Sequence, residues 1–139
     1  MTLFTSAISD RRTYFNCFDA ARLYVLAAVN VAVFSAIYEH FSFGVYSAFM
    51  VFAFAVPLLM GALAFLLLGR ALKKTGTSVP ALVCKFWHAA VATLTVGFLF
   101  RGVLDIYGTS SLLASVYWIA SAVLAALSLL ALAITSYWR

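Results

Sequence analysis

The stretch that decides the fold is residues 112–137, LLASVYWIASAVLAALSLLALAITSY, which contains no charged residue. A helix needs about 20 apolar residues to cross the roughly 30 Å of hydrocarbon in a bilayer. Backbone in lipid must satisfy its own hydrogen bonds, and this stretch lacks the alternating pattern of a barrel strand. We therefore predict a transmembrane helix here.

Three further apolar stretches precede it, and each has a length suited to crossing a bilayer. They are residues 20–38, 45–68 and 81–104. Of all 139 residues, 66% are hydrophobic and 9% are charged, whereas soluble domains have about 45–50% apolar and about 25% charged residues. The sequence thus predicts an all-α membrane protein with four transmembrane helices in residues 20–139.

The connections between these stretches are short, covering residues 39–44, 69–80 and 105–111. Short connections place sequential helices side by side in opposite directions, so the predicted architecture is an up-down-up-down four-helix bundle. Pro57 lies near the centre of the second stretch. Because proline removes a backbone hydrogen bond and clashes with the preceding turn, it predicts a kink there.

The basic residues are distributed very unequally between the two sides of the predicted bundle. Only Arg101 of the nine Lys and Arg residues falls on one side. The positive-inside rule therefore places both ends of the sequence in the cytoplasm, with the bundle in the plasma (inner) membrane. The same rule accounts for the net charge of +5, so we expect no nucleic acid as a partner. The cytoplasmic residues are Arg11, Arg12, Arg22, Arg70, Lys73, Lys74, Lys85 and Arg139.

Residues 1–19 form a cytoplasmic segment that differs from the rest of the chain. Within it, residues 8–19 read ISDRRTYFNCFD. Ser9 suits a helix cap and Asp10 suits a first turn, and aromatic residues follow. Two interpretations stay open: a short helix lying on the inner leaflet, or a frayed tail.

Polar residues at the outer ends of the first and third helices form one candidate site for a ligand or partner. Arg101 and Asp105 are one turn apart and can form an ion pair. Glu39 can join them if the two helices are neighbours, and His40 lies beside it. Charged groups near membrane depth often mark function, although an ion pair that only locks helix ends explains the same residues.

Asn30 is the strongly polar residue near the centre of the first helix. A side-chain amide in lipid requires a hydrogen-bond partner. The sequence therefore predicts either a bond between helices or a group that lines a substrate path.

His88 is the one candidate for holding a cofactor, and it lies near the inner end of the third helix. It is roughly 20 Å below Arg101 along that helix, whereas His40 lies at the outer end. One chain cannot clamp a haem with these two imidazoles. A hydrogen-bonded structural histidine explains His88 equally well, so no cofactor is predicted. Cys17 and Cys84 show no metal-ligand spacing, and no metal is predicted.

The sequence contains none of the catalytic motifs that would indicate an enzyme. It has no P-loop, dinucleotide fingerprint, GxSxG elbow or HExxH motif. The loops are too short to hold a catalytic set, so we do not expect an enzyme.

Two stretches resemble small four-helix membrane proteins of bacteria that have no characterised activity. They are residues 38–59, YEHFSFGVYSAFMVFAFAVPLL, and residues 87–118, WHAAVATLTVGFLFRGVLDIYGTSSLLASVYW. The resemblance implies the fold and the membrane location only. That family has a histidine where this chain has Phe43, which weakens an outer role for histidine here.

Three functions follow as hypotheses. The first is a non-catalytic membrane subunit or anchor in a larger complex. The second is a small transporter or channel-like protein with an outer polar site, which needs a homo-oligomer or another membrane protein to enclose a path. The third is a redox subunit that binds haem or quinone through His88.

Overall fold

The computed structural model describes residues 2–76 and 79–137, with side chains described from residue 17 onward except that of residue 75. All regular structure in these ranges is helical, as the sequence predicts. The elements are α1 (Thr2–Phe41), α2 (Ala48–Val51), the π-helix π1 (Pro57–Leu63), α3 (Ala64–Thr75), α4 (Ala81–Tyr107) and α5 (Leu113–Tyr137).

Three of the described helical segments are long and apolar enough to cross a membrane. They are Cys17–Phe41, Ala81–Tyr107 and Leu113–Tyr137, with mean hydropathy values of 1.8, 1.6 and 2.2. The first belongs to α1, which begins at Thr2 and continues without a break. Residues 8–19, for which the sequence leaves a short helix on the inner leaflet and a frayed tail as alternatives, are part of this longer helix, and their position relative to the membrane stays a prediction.

The stretch 45–68 is not one continuous helix, so a four-helix bundle is not confirmed. The backbone forms one helical turn in α2 and then turns at residues 52–54. It continues as a π-helix that begins at Pro57 and joins α3. Because Pro57 has no N–H to donate, the ordinary helical bonding pattern cannot pass through it. The interruption is thus larger than the predicted kink.

The widened turn of π1 leaves a backbone carbonyl available to a neighbouring helix. Trp87 Nε1 donates a 2.8 Å hydrogen bond to the Met60 carbonyl oxygen. π-Helical turns are rare and occur frequently at functional sites. This bond attaches the interrupted segment to α4.

The helices pack in two groups. α4 and α5 form an antiparallel hairpin, and α1 packs against π1 and α3. α2 packs against α4 and so connects the two groups. In the hairpin, Ser121 donates to the Ala90 carbonyl at 3.0 Å and Ser128 to the Val83 carbonyl at 2.9 Å. Both serines are buried, so their hydroxyls join helices in the way expected within lipid.

Candidate functional site

The polar group predicted at the outer helix ends centres on the carboxylate of Asp105. Arg101 Nε lies 3.1 Å from Asp105 Oδ1, and Ser47 donates a 3.1 Å hydrogen bond to Asp105 Oδ2. The ion pair that the i, i+4 spacing predicts is therefore present. Since Ser47 immediately precedes α2, Asp105 also connects α2 to α4.

One aromatic ring lies over the guanidinium of Arg101. Its Cζ lies 5.8 Å from the centroid of the Phe49 ring, within the range of a cation–π interaction. Phe49 also contacts Phe98 and Trp118, with ring centroids 5.8 and 6.1 Å away. Arg101 thus contacts both a carboxylate and an aromatic ring, and its side chain is 34% exposed.

Glu39 does not join this ion pair in the described structure. Its Oε1 atom is buried and has no hydrogen-bond partner among the described residues. Ser35 Oγ, one turn earlier on α1, is also buried without a described partner, and Ser35 is only 4% exposed. A carboxylate oxygen, which accepts, and a hydroxyl, which can donate or accept, therefore lie without a described partner on the same face of α1. His40 is exposed, and its ring contacts Phe41 edge-on with centroids 5.6 Å apart.

A cavity of about 500 Å³ lies at this end, but the charged residues do not line it. It lies between the C-terminal ends of α1 and α4, and its walls are mostly aromatic. The lining residues are Phe34, Ile37, Tyr38, Phe41, Ser42, Phe43, Ile106 and Tyr107.

Asn30 lies on an exposed, apolar face of α1 rather than between helices. Its Nδ2 donates a 2.9 Å hydrogen bond to the Leu26 carbonyl of the same helix. Leu26, Val29 and Val33 on this face are 58%, 54% and 53% exposed. Within one chain the amide bonds its own helix and lines none of the described cavities, so both roles stay predictions.

The second candidate site is at the opposite end of α4, where three rings stand nearly parallel. His88 lies 4.7 Å from Phe65 and 5.4 Å from Tyr24, centroid to centroid, with interplanar angles of 12° and 14°. Tyr24 Oη and His88 Nδ1 are joined by a 2.6 Å hydrogen bond. A neutral imidazole that accepts this bond at Nδ1 carries its proton on Nε2.

These three residues line a cavity of about 610 Å³ between α1 and α4. Its wall is mostly apolar, with Asp19 and Lys85 adding one negative and one positive side chain. The volume falls within the range of small-molecule pockets, about 300–1,000 Å³. The remaining lining residues are Cys17, Ala20, Leu23, Ala27, Ala81, Cys84 and Ala92.

Sequence reasoning identified His88 but missed Tyr24 and Phe65, because neither residue carries a signal of its own in an aromatic-rich chain. They meet His88 only through the packing of α1 and α3 around α4. Ser35 and Ser47 were missed for a similar reason, since buried and lipid-facing serines look alike in sequence. In the part of the chain described here, no cluster of three or more His, Cys, Asp or Glu residues could hold a metal ion.

Comparison with protein-family models, with curated proteins and with solved structures finds no match to this chain. The described residues form an all-helical fold with three segments long and apolar enough to cross a membrane, which suggests a membrane-embedded protein. Its function is inferred from the two sites and the exposed amide.

Proposed function

We propose that the chain crosses the plasma membrane of a bacterium four times, with both termini in the cytoplasm and Ala48–Thr75 as an interrupted span. At about 1.5 Å per residue this segment exceeds the roughly 30 Å of the hydrocarbon core. Irregular backbone is tolerated at membrane depth where protein covers it. Met50, Ala53, Val56 and Ala62 of this segment are all buried, which supports the proposal.

Within this topology, the protein acts as a non-catalytic membrane subunit that assembles through the exposed face of α1. The environment of Asn30 is the observation that supports this function. Its Oδ1 and one of its two amide hydrogens have no described partner, and it lies about midway along Cys17–Phe41. Amides in such positions bond across helices, with measured contributions of about 0.6–2 kcal/mol.

A second copy of this chain satisfies Asn30 most simply. An amide carries both a donor and an acceptor, so two copies related by a two-fold axis can exchange a reciprocal pair of hydrogen bonds. A different membrane protein with a polar group at the same depth is the other kind of partner, which makes the chain an anchor in a larger complex.

Native mass spectrometry of protein gently extracted from its membrane tests this function. The wild type should appear with a second copy or a second polypeptide, and Asn30→Ala should weaken the assembly about tenfold, as expected for a loss of about 1.4 kcal/mol. Thr93→Ala on α4 is the matched control, because the Thr93 hydroxyl also bonds a carbonyl of its own helix but lies outside the exposed face of α1. A wild type that remains monomeric in native lipid would rule out the subunit function.

A second candidate function, an oligomeric transporter or channel-like protein with an outer polar site, is favoured by the unpaired oxygens of Ser35 and Glu39. Buried acceptors of this kind suit a passing cation. Rubidium flux into proteoliposomes should fall with Glu39→Gln, which removes the charge of the carboxylate with the buried Oε1 atom, while the same acid-to-amide change at the exposed carboxylate of Asp19, Asp19→Asn, leaves it unchanged. Flux at the level of protein-free liposomes would remove this candidate.

A further inference from the structure

We propose that the cavity lined by Tyr24, Phe65 and His88 binds the ring of a lipophilic quinone. This goes beyond the assembly role and does not depend on it. The cavity opens between α1 and α4, two helices with apolar, membrane-capable segments. A ligand dissolved in the bilayer can therefore enter it from the side.

The aromatic wall favours a flat ring as the ligand. The rings of Tyr24, Phe65 and His88 lie within 17° of parallel. Aromatic rings attract one another in offset stacks with centroids about 4.5–7 Å apart. A planar ligand placed in the cavity would extend this stack.

The hydrogen-bonding groups favour a carbonyl acceptor on that ring. With Tyr24 donating to Nδ1 of His88, the Nε2–H of a neutral imidazole remains as a donor. A quinone oxygen accepts such a bond. The Tyr24 hydroxyl therefore orients the imidazole, and His88 contacts the ligand.

The charges of the wall favour a neutral ligand over an anionic lipid or a haem. Asp19 and Lys85 supply one charge of each sign. Lys85 is the one cation among the lining residues, whereas the two propionates of haem call for two. A neutral quinone carries no charge that Asp19 or Lys85 would repel.

The space beside the wall can be closed by a single substitution on α4. Ala92 lines the cavity one turn beyond His88. We expect phenylalanine at this position to narrow the cavity, and neither atom of the Tyr24–His88 bond belongs to residue 92. Ala92→Phe therefore tests the role of the cavity separately from that of the Tyr24–His88 hydrogen bond.

Equilibrium binding of tritiated decylubiquinone to the protein in lipid nanodiscs tests the proposal, after subtraction of the partition into empty nanodiscs. The wild type should show one saturable site. Tyr24→Phe and His88→Gln should each weaken binding about tenfold, the loss expected for one hydrogen bond of about 1–1.5 kcal/mol. Ala92→Phe should abolish saturable binding.

Tyr46→Phe is the matched control, because Tyr46 is exposed and distant in sequence from the cavity. It should bind like the wild type. Circular dichroism and a single elution peak would establish that each variant is folded before binding is measured.

Three outcomes would overturn the proposal. One is wild-type uptake no greater than that of empty nanodiscs. Another is unchanged affinity in both Tyr24→Phe and Ala92→Phe. The third is saturable binding that an anionic phospholipid displaces and Tyr24→Phe does not affect, which would assign the cavity to a lipid. None of these outcomes depends on the oligomeric state, so they are distinct from failure of the assembly role.

Discussion

Gly102 lies so close to Met50 that a Cβ added to it would be 2.9 Å from the Met50 Cβ and 3.0 Å from the Met50 backbone nitrogen. A Cβ added to Gly61 would likewise lie too close to the ring of Tyr24, and one added to Gly97 would lie too close to Tyr117. Small residues at helix contacts let backbones approach closely in membranes. These glycines therefore set the distances at which the side chains of both sites meet.

Gly102→Ala should destabilise the protein by about 1–3 kcal/mol, because the Met50 backbone must shift to admit the methyl group. Thermal unfolding in detergent measures this. Gly69→Ala is the control, since its added Cβ would lie 3.4 Å from the nearest atoms of Cys17 and Phe18, an ordinary contact. Equal stability of the two variants would contradict the close approach.

Asp105→Ala should also destabilise the protein, because it leaves both Arg101 and Ser47 without their partner. We expect about 1–2 kcal/mol, a modest loss because the Arg101 side chain is 34% exposed and partly screened by solvent. Asp19→Ala breaks an exposed ion pair with Arg22 at 3.7 Å and should have no measurable effect. Unfolding by titrated denaturing detergent compares the stability of the two variants. A similar loss of stability in both would contradict a stabilising role for the contacts of Asp105 with Arg101 and Ser47.

The hairpin of α4 and α5 is the element most directly predictable from sequence. Both stretches are long, apolar and separated by a short connection, so their antiparallel pairing follows from length and hydropathy. Gly108 ends α4 with a left-handed backbone, φ +71°, which suits glycine. The serines that join the two helices were not predicted, because hydropathy does not distinguish a serine facing a helix from one facing lipid.

Ser121→Ala combined with Ser128→Ala should lower the stability of this hairpin by about 1 kcal/mol, given an average near 0.6 kcal/mol for one interhelical hydrogen bond in lipid. Ser136→Ala is the control, since its hydroxyl bonds the Ala133 carbonyl within α5. Reversible unfolding in mixed micelles measures the difference. A double variant as stable as the control would show that these hydroxyls do not join the helices.

The structure of the segment Ala48–Thr75 could be predicted from the sequence only in part. Its composition predicts a membrane-crossing helix, and Pro57 predicts a break in it. The turn at residues 52–54 and the seven-residue π-helix depend on how α1 and α4 cover this backbone. Local sequence does not contain that information, so neither feature was predictable.

At the scale of the whole molecule, two groups of polar residues lie at opposite ends of one helix. His88 and Arg101 are separated by 13 positions of α4, which is about 20 Å. Their separation was predictable from sequence because α4 is a single regular helix. The partners of each group come from α1, α2 and α3, and only the packed structure assigns them.

Under the proposed four-span topology, the oxygens of Glu39 and the cavity at His88 lie on opposite faces of the membrane, so this proposal connects all of these features. An even number of crossings puts both ends of the chain on one side. If Ala48–Thr75 does not cross, three spans put them on opposite sides. The positions of the two ends therefore decide between three and four crossings.

The most direct test fuses green fluorescent protein or alkaline phosphatase in turn to each end of the chain in a bacterial host. We predict fluorescence and no phosphatase activity at both ends, because the proposed topology places both termini in the cytoplasm. Phosphatase activity at one end with fluorescence at the other would contradict this topology and show that Ala48–Thr75 does not cross the membrane.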